Sequence, residues 1–369
     1  MDWEKLVGKF QFQGRFVDVE PITLGHINDT YAVTVEQEGG QRRRFILQRI
    51  NHHVFQNPPQ VMENIEAVTQ HLRAKVIAAG GDPERETVNL VPTVDGRSYH
   101  VSDDGNYWRA AKFIEGARTY DEATGPLFYN AGKAFGQFMR LLDDFPAGTL
   151  HETIPQFHDT RKRYNDLMEA VKRDAAGRAG QVQPEIEFAK AREKDASVVV
   201  DLIAEGKIPL RVTHNDTKLN NVMICDRTGE AICVVDLDTV MPGSALYDFG
   251  DAVRFGASTA PEDETDLSKV GIDLELFRKF TEGYLAAAGD VLTPAELDLL
   301  AFSAKLITYE LGMRFLTDYL NGDVYFKIHR PHHNLERARA QFRLVEDMEA
   351  KMDQMEAIVR EAYEAVKQG

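Results

Sequence analysis

No apolar run in this sequence is long enough to cross a bilayer, and no secretory h-region follows Met1-Asp-Trp-Glu-Lys-Leu-Val-Gly-Lys9. A cytoplasmic protein with no membrane partner is therefore expected. Cysteine is scarce: Cys225 and Cys233 are the only two, which fits neither a closed zinc set nor a disulfide scaffold and leaves both to read as small buried apolar residues. Positive charge is short as well, with 43 Lys and Arg against 59 Asp and Glu and a formal charge of −16. Extended nucleic-acid binding draws on a basic footprint, so no nucleic-acid partner is expected. A triphosphate remains compatible with this acidity, because a divalent ion and a few local cations neutralise it. What is present is a folding chain of 369 residues, 43% hydrophobic, long enough for two lobes that each bury a core.

The chain is organised around Val212 to Asp238. Asn221–Cys225 and Ala231–Val235 read as short strands joined by the turn residues Asp226-Arg-Thr-Gly229. Folding that hairpin brings Asp216 in the preceding loop, Asn221 at the first strand and Asp236 after the second toward one end. Three such oxygen-bearing side chains suit phosphoryl transfer. One carboxylate orients the attacking hydroxyl and accepts its proton, while an amide oxygen and a second carboxylate are hard ligands for Mg2+ on nucleotide phosphates. Lys218, two positions after Asp216, adds a cation to meet charge on the transferred group.

The stretches His214-Asn-Asp-Thr-Lys-Leu-Asn-Asn221, Val235-Asp-Leu-Asp-Thr-Val-Met-Pro-Gly243 and Tyr247-Asp-Phe-Gly-Asp-Ala-Val-Arg254 resemble the aminoglycoside phosphotransferase superfamily of protein-kinase-like small-molecule kinases. Within it the resemblance is to the bacterial N-acetylhexosamine 1-kinases. This implies an α+β fold of two lobes: a small antiparallel-sheet nucleotide lobe over residues 1–114, and a larger, mainly helical catalytic and acceptor lobe over residues 115–369. ATP and Mg2+ are the implied cofactors, with ATP in the cleft between the lobes. Asp216 then engages the acceptor hydroxyl, Lys218 stabilises the phosphoryl group, His214 helps hold the catalytic loop, and Asn221 and Asp236 bind the metal. Asp248 and Asp251 have the spacing of an ion-pair and capping network that steadies the metal-binding segment, or of ordinary helix-start residues.

Ahead of this lies a small meander. Strands are expected at 16–20, 30–35 and 44–48, a helix at 61–79 with Val61, Ile65, Val68, Leu72 and Val76 as its apolar stripe, and further strands at 88–94, 98–101 and 107–114. Leu24 to Tyr31 occupies the place of a phosphate-covering loop with Asn28 and Thr30 as its ATP-binding side chains; having one glycine, it equally reads as a connecting turn. Related kinases carry a lysine on the third strand. Here that position falls to Gln48 or Arg49, of which Arg49 keeps the charge, with Glu63 as its helix partner or a solvated residue. By resemblance Glu115-Gly116 is the hinge, where the backbone between Phe113 and Gly116, including Glu115, reads adenine.

Helical periodicity continues at 127–142, 157–173, 184–205, 274–288 and 294–320, with Gly132 and Gly136 marking a close approach. The acidic stretch 257–267 reads as a mobile surface loop. Thr308 to Phe326 resembles the sugar-pocket region of N-acetylhexosamine kinases and nominates Arg314 and Tyr325 as substrate residues; an ion-pair helix with an aromatic packing turn is the alternative. From Val345 to Val366 one long amphipathic helix is expected, packed on its own lobe in a monomer or forming a coiled-coil dimer. The implied reaction is ATP-dependent phosphorylation of the anomeric hydroxyl of a sugar substrate, N-acetylglucosamine or N-acetylgalactosamine. The same core would serve homoserine, choline, methylthioribose or an aminoglycoside, or a catalytically inactive binding protein.

Overall fold

Alternation of apolar and polar residues builds the N-terminal sheet. The computed structural model describes residues 2–22 and 27–368. In it, β1 (Arg15–Ile22), β2 (Asp29–Glu36), β3 (Arg42–Ile50), β4 (Leu90–Val91), β5 (Tyr99–Val101) and β6 (Tyr107–Lys112) form one antiparallel sheet. Its order is β1-β2-β3-β6-β4, with β5 also paired to β6. Val33, Val35, Phe45, Leu47, Trp108 and Ala110 share one buried cluster with Leu6, Val7 and Phe10 near the N-terminus. The strand expected at 88–94 shortens to Leu90–Val91, because Pro92 has no N–H with which to continue the ladder.

The chain divides into two compact units. One comprises Met1–Arg118, Gly148–Pro155 and Met223–Met241; the other comprises Thr119–Ala147, Gln156–Val222 and Pro242–Gly369. The segments 148–155 and 223–241, beyond the expected boundary at residue 114, group with the sheet-bearing unit. The hairpin strands Val222–Cys225 and Ala231–Val234 gain a third member, Ala117–Arg118, which pairs through Ala117↔Cys225 and Arg118↔Ile224. Both cysteines are free and buried.

The second unit is mainly helical. Helices Gly125–Leu141 and Leu274–Ala288 pack against each other, and glycine makes the contact possible. A Cβ on Gly136 would stand 2.6 Å from the Tyr284 carbonyl oxygen, and one on Gly283 would stand 2.9 Å from the Lys133 backbone nitrogen. The helix expected over 184–205 is broken into Gln183–Lys190 and Val198–Ala204. Its middle is the charged run Arg192-Glu-Lys-Asp195, where Asp195 is held by Lys305 at 2.9 Å.

The C-terminal helix is likewise two pieces, His333–Ala350 and Met352–Gln368. At the break, Lys351 Nζ donates to Asp347 at 2.7 Å and to the Ile272 carbonyl at 3.1 Å. Val345, Met348, Met355, Val359 and Ala362 are buried within this one chain. The acidic stretch expected to be mobile is instead tied down, Glu262 by Arg254 at 3.0 Å and Asp263 by His333 at 2.9 Å. Among the described residues no helix is long and apolar enough to cross a membrane.

Candidate active site

Strand Arg211–Thr213 delivers the loop that carries Asp216. Arg211 anchors it through a buried two-pronged contact with Glu296, at 2.7 and 2.9 Å, and through the Val291 carbonyl at 2.9 Å. The chain then turns through Asn215, whose φ of 63° lies in the left-handed region. One carboxylate secures this turn: Asp248 accepts the backbone N–H of His214 at 2.8 Å and that of Asn215 at 2.7 Å. The Asp248 carbonyl also accepts the Thr217 hydroxyl at 2.6 Å. Asp248 lies in the first turn of helix Ala245–Gly256, so the helix start grips the loop directly. Burial pushes the Asp248 carboxyl up from its ordinary value, against the opposing pull of His214 and the two N–H groups.

His214 is fully buried, edge-on to Phe135 and Phe138 at ring separations of 5.7 and 5.9 Å. Its Nδ1 accepts the Asp216 N–H at 3.3 Å. The Asp216 carboxylate is bracketed: Lys218 Nζ lies 2.6 Å from Oδ1, and Asn221 Nδ2 donates to Oδ2 at 3.1 Å and to the Asp216 carbonyl at 2.8 Å. Burial pulls the Lys218 ammonium down, but Asp216 and Asp251 outweigh it and hold it above the usual lysine value. Burial pushes Asp251 up, yet Arg254, 2.8 Å away, and Lys218 hold it below the usual aspartate value. The four expected loop residues and both flanking aspartates thus form one charge network within the helical unit.

Asp236 belongs to the sheet-bearing unit and opens the turn Leu237–Thr239. Its φ of 61° and ψ of 62° are left-handed, a conformation that costs a non-glycine residue about 1–2 kcal/mol. The next acidic residue, Asp238, is buried and paired with Arg109, and it also accepts from Asn28 Nδ2. Arg109 Nε donates to Gln48 at 3.0 Å, and Gln48 Nε2 donates to Thr30 Oγ1 at 3.0 Å. Asn28 and Thr30 are therefore engaged with this network, while Leu24, Gly25 and His26 of the expected phosphate loop lie outside the described residues.

Arg49 is one of the two residues expected at the strand-lysine position. It pairs with Asp29 at 2.7 Å, its side chain 41% exposed, on the sheet face it shares with Phe45 and Leu47. Gln48 points the other way and faces Arg109 across the β3–β6 register. Glu63 meets His151 Nε2 at 2.6 Å rather than a strand cation. Near the expected hinge, Arg44 stacks over Phe113 at 3.9 Å and pairs with Glu115, whose carbonyl accepts Arg85 at 2.8 Å.

Arg314 lies over the rings of Phe157 and Phe326, at 5.3 and 5.6 Å. The carboxylates one helical turn to either side of Arg314, Glu310 and Asp318, make their hydrogen bonds elsewhere. Glu310 takes His158 at 3.0 Å and Thr160 at 3.2 Å, and Asp318 accepts the backbone N–H groups of Val324, Tyr325 and Phe326 at 2.8–2.9 Å. Tyr325 is 68% exposed on the loop so formed. Burial lowers the Arg163 guanidinium, and the nearby Arg314 lowers it further. Sequence reasoning missed Arg109, His158 and Arg163. An arginine inside the apolar run Tyr-Trp-Arg-Ala-Ala was the visible signal for the first; nothing marked the other two.

The family model described as "Phosphotransferase enzyme family" matches residues 18–298. Similar solved structures include a microcompartment-associated aminopropanol kinase, 16% identical over 96% of this chain and 97% of that one, with a TM-score of 0.61. A Plasmodium vivax ethanolamine kinase is 15% identical over 88% and 82% of the two chains, with a TM-score of 0.55. A spectinomycin phosphotransferase, solved with ADP and spectinomycin, is 13% identical over 100% and 98%, with a TM-score of 0.52. At these identities the likeness is one of fold.

Proposed function

The chain belongs to the phosphotransferase enzyme family, and on that premise we propose that it is an ATP-dependent kinase that phosphorylates the anomeric hydroxyl of N-acetylglucosamine or N-acetylgalactosamine. Asp216 is the base: it orients the acceptor hydroxyl and takes its proton. Lys218, held charged beside it, offsets negative charge on the phosphoryl group as the proton leaves. His214 stays buried and keeps the loop in shape. Both contacts of the Asn221 amide nitrogen go to Asp216, which keeps the amide oxygen for a cation. That oxygen and the Asp236 carboxylate are each hard donors of the kind Mg2+ takes. When bound, Mg2+ supplies charge neutralisation of the nucleotide phosphates.

The observation that carries the acceptor assignment is a pair of guanidinium groups, Arg314 over the rings of Phe157 and Phe326 and Arg163 near it and near the exposed Tyr325. With Glu310 committed to His158 and Thr160, such a pair disfavours choline, an ethanolamine or an aminoglycoside. A neutral sugar instead offers hydroxyl and amide oxygens for guanidinium N–H groups and a ring face for an aromatic. The test is an acceptor panel with Mg2+ and ATP: the two N-acetylhexosamines, homoserine, methylthioribose, choline and an aminoglycoside. ADP release would be followed and the product identified by phosphorus NMR. The expected result is a sugar 1-phosphate, lost in Asp236→Ala. Turnover of a cationic acceptor with none of either sugar would overturn the assignment.

A further inference from the structure

In the sheet-bearing unit, side chains from separate segments converge on the turn after Asp236. Asp238 is gripped by Arg109 from β6 and by Asn28 from ahead of β2. Asn28 is itself fixed, its Oδ1 accepting the Asn51 N–H at 3.0 Å. Farther along, the Val240 carbonyl accepts Asn64 Nδ2 at 2.9 Å, from helix Pro58–Ala78. The turn is thus held at Asp238 and again at Val240, and between the hairpin and these grips Asp236 adopts its left-handed backbone. A non-glycine residue keeps that conformation only where its surroundings over-determine it.

Arg109 is the centre of the arrangement. It is 6% exposed and Asp238 is 4% exposed, and its guanidinium is committed to Asp238 on one nitrogen and to Gln48 on another. A strand lysine of the kind expected at this part of the sheet would extend its ammonium to phosphate. Arg109 has neither the exposure nor a spare orientation for that.

We propose that Arg109 is a positioning residue: through Asp238 it fixes the left-handed turn that presents the Asp236 carboxylate to the divalent ion. This rests on the metal role given to Asp236 above. No bond is made or broken; the contribution is to the conformation of one turn.

The test uses the full chain and reads metal binding apart from turnover. Mn2+ titrations in the presence of ADP, followed by electron paramagnetic resonance, would compare wild type with Arg109→Gln, Arg109→Lys, the near-isosteric Asp238→Asn, Asn28→Ala and Asp236→Ala. Arg109→Gln and Asp238→Asn should each weaken Mn2+ binding about tenfold, and the double variant no further than the worse single one, as partners in one contact are non-additive. Arg109→Lys should recover part of the affinity, and Asn28→Ala should show a smaller loss in the same direction. The KM for the acceptor should not move in the Arg109, Asp238 and Asn28 variants. Should Arg109→Gln fail to fold, Asp238→Asn carries the same expectation. Unchanged Mn2+ affinity with a raised KM for ATP would overturn the proposal in favour of direct phosphate contact. A lowered melting temperature with normal Mn2+ affinity would overturn it in favour of a purely structural pair. If Asp236→Ala itself binds Mn2+ normally, the metal assignment falls and the proposal with it; if only that variant loses the ion, the assignment stands and the proposal falls.

Discussion

Asp248 fixes the Asp216 loop by accepting two successive backbone N–H groups around a left-handed residue. An amide at this position offers one acceptor oxygen and a donor that faces N–H groups. Asp248→Asn should therefore cost about 1–3 kcal/mol of stability, and kcat should fall more than either KM changes, as checked by chemical denaturation and steady-state kinetics. Asp216→Asn should fold normally and lose about 10²–10⁴ in kcat, the range for a positioned base; near-normal turnover would remove Asp216 from that role. Asp216, Lys218, Asn221 and Asp236 were legible because phosphoryl transfer restricts the residue types that serve it. Arg109 was not, because its partner depends on which residue stands opposite across the sheet and on a turn more than a hundred positions away. The choice between Gln48 and Arg49 likewise hung on which sheet face packs against the N-terminal helix, a fact of tertiary structure.

Between elements, the contact of helices Gly125–Leu141 and Leu274–Ala288 is set by missing side chains. Gly136→Ala places a methyl against the Tyr284 carbonyl and should destabilise by about 1–3 kcal/mol or more. Gly148→Ala, which meets nothing within 4 Å, should be close to neutral in the same thermal-melt comparison. That close approach was visible as two small residues on one helix face. The breaks near Arg192 and Lys351 were not, because they are stabilised by Lys305 and by the Ile272 carbonyl, far away in sequence. The C-terminal stripe had the spacing of a coiled coil, yet it packs on helix Leu274–Ala288 of its own chain. Met355→Ala should accordingly cost about 2–5 kcal/mol with no change of mass by light scattering.

At the scale of the whole molecule, acid should destabilise this protein through the buried carboxylates Glu310 and Asp251. Burial pushes Glu310 up, but His158, with Arg314 and Arg163, holds it below the ordinary glutamate value, and Asp251 is held low in the same way by Arg254. A carboxyl whose folded pKa is depressed contributes stability that is complete above its unfolded value, about 4, and is lost as pH falls through the lower folded value. The melting temperature should thus drop steeply below about pH 4, and the acid limb of Glu310→Gln should be shallower. The α+β class was readable from where alternation gives way to helical spacing. The membership of each unit was not, since it depends on which distant segments return to the sheet. That return bears on synthesis. The first unit includes residues up to Met241, so a ribosome that has finished the sheet has not yet made the acid that neutralises Arg109. The nascent sheet must wait with a cation at its heart until Asp238 emerges.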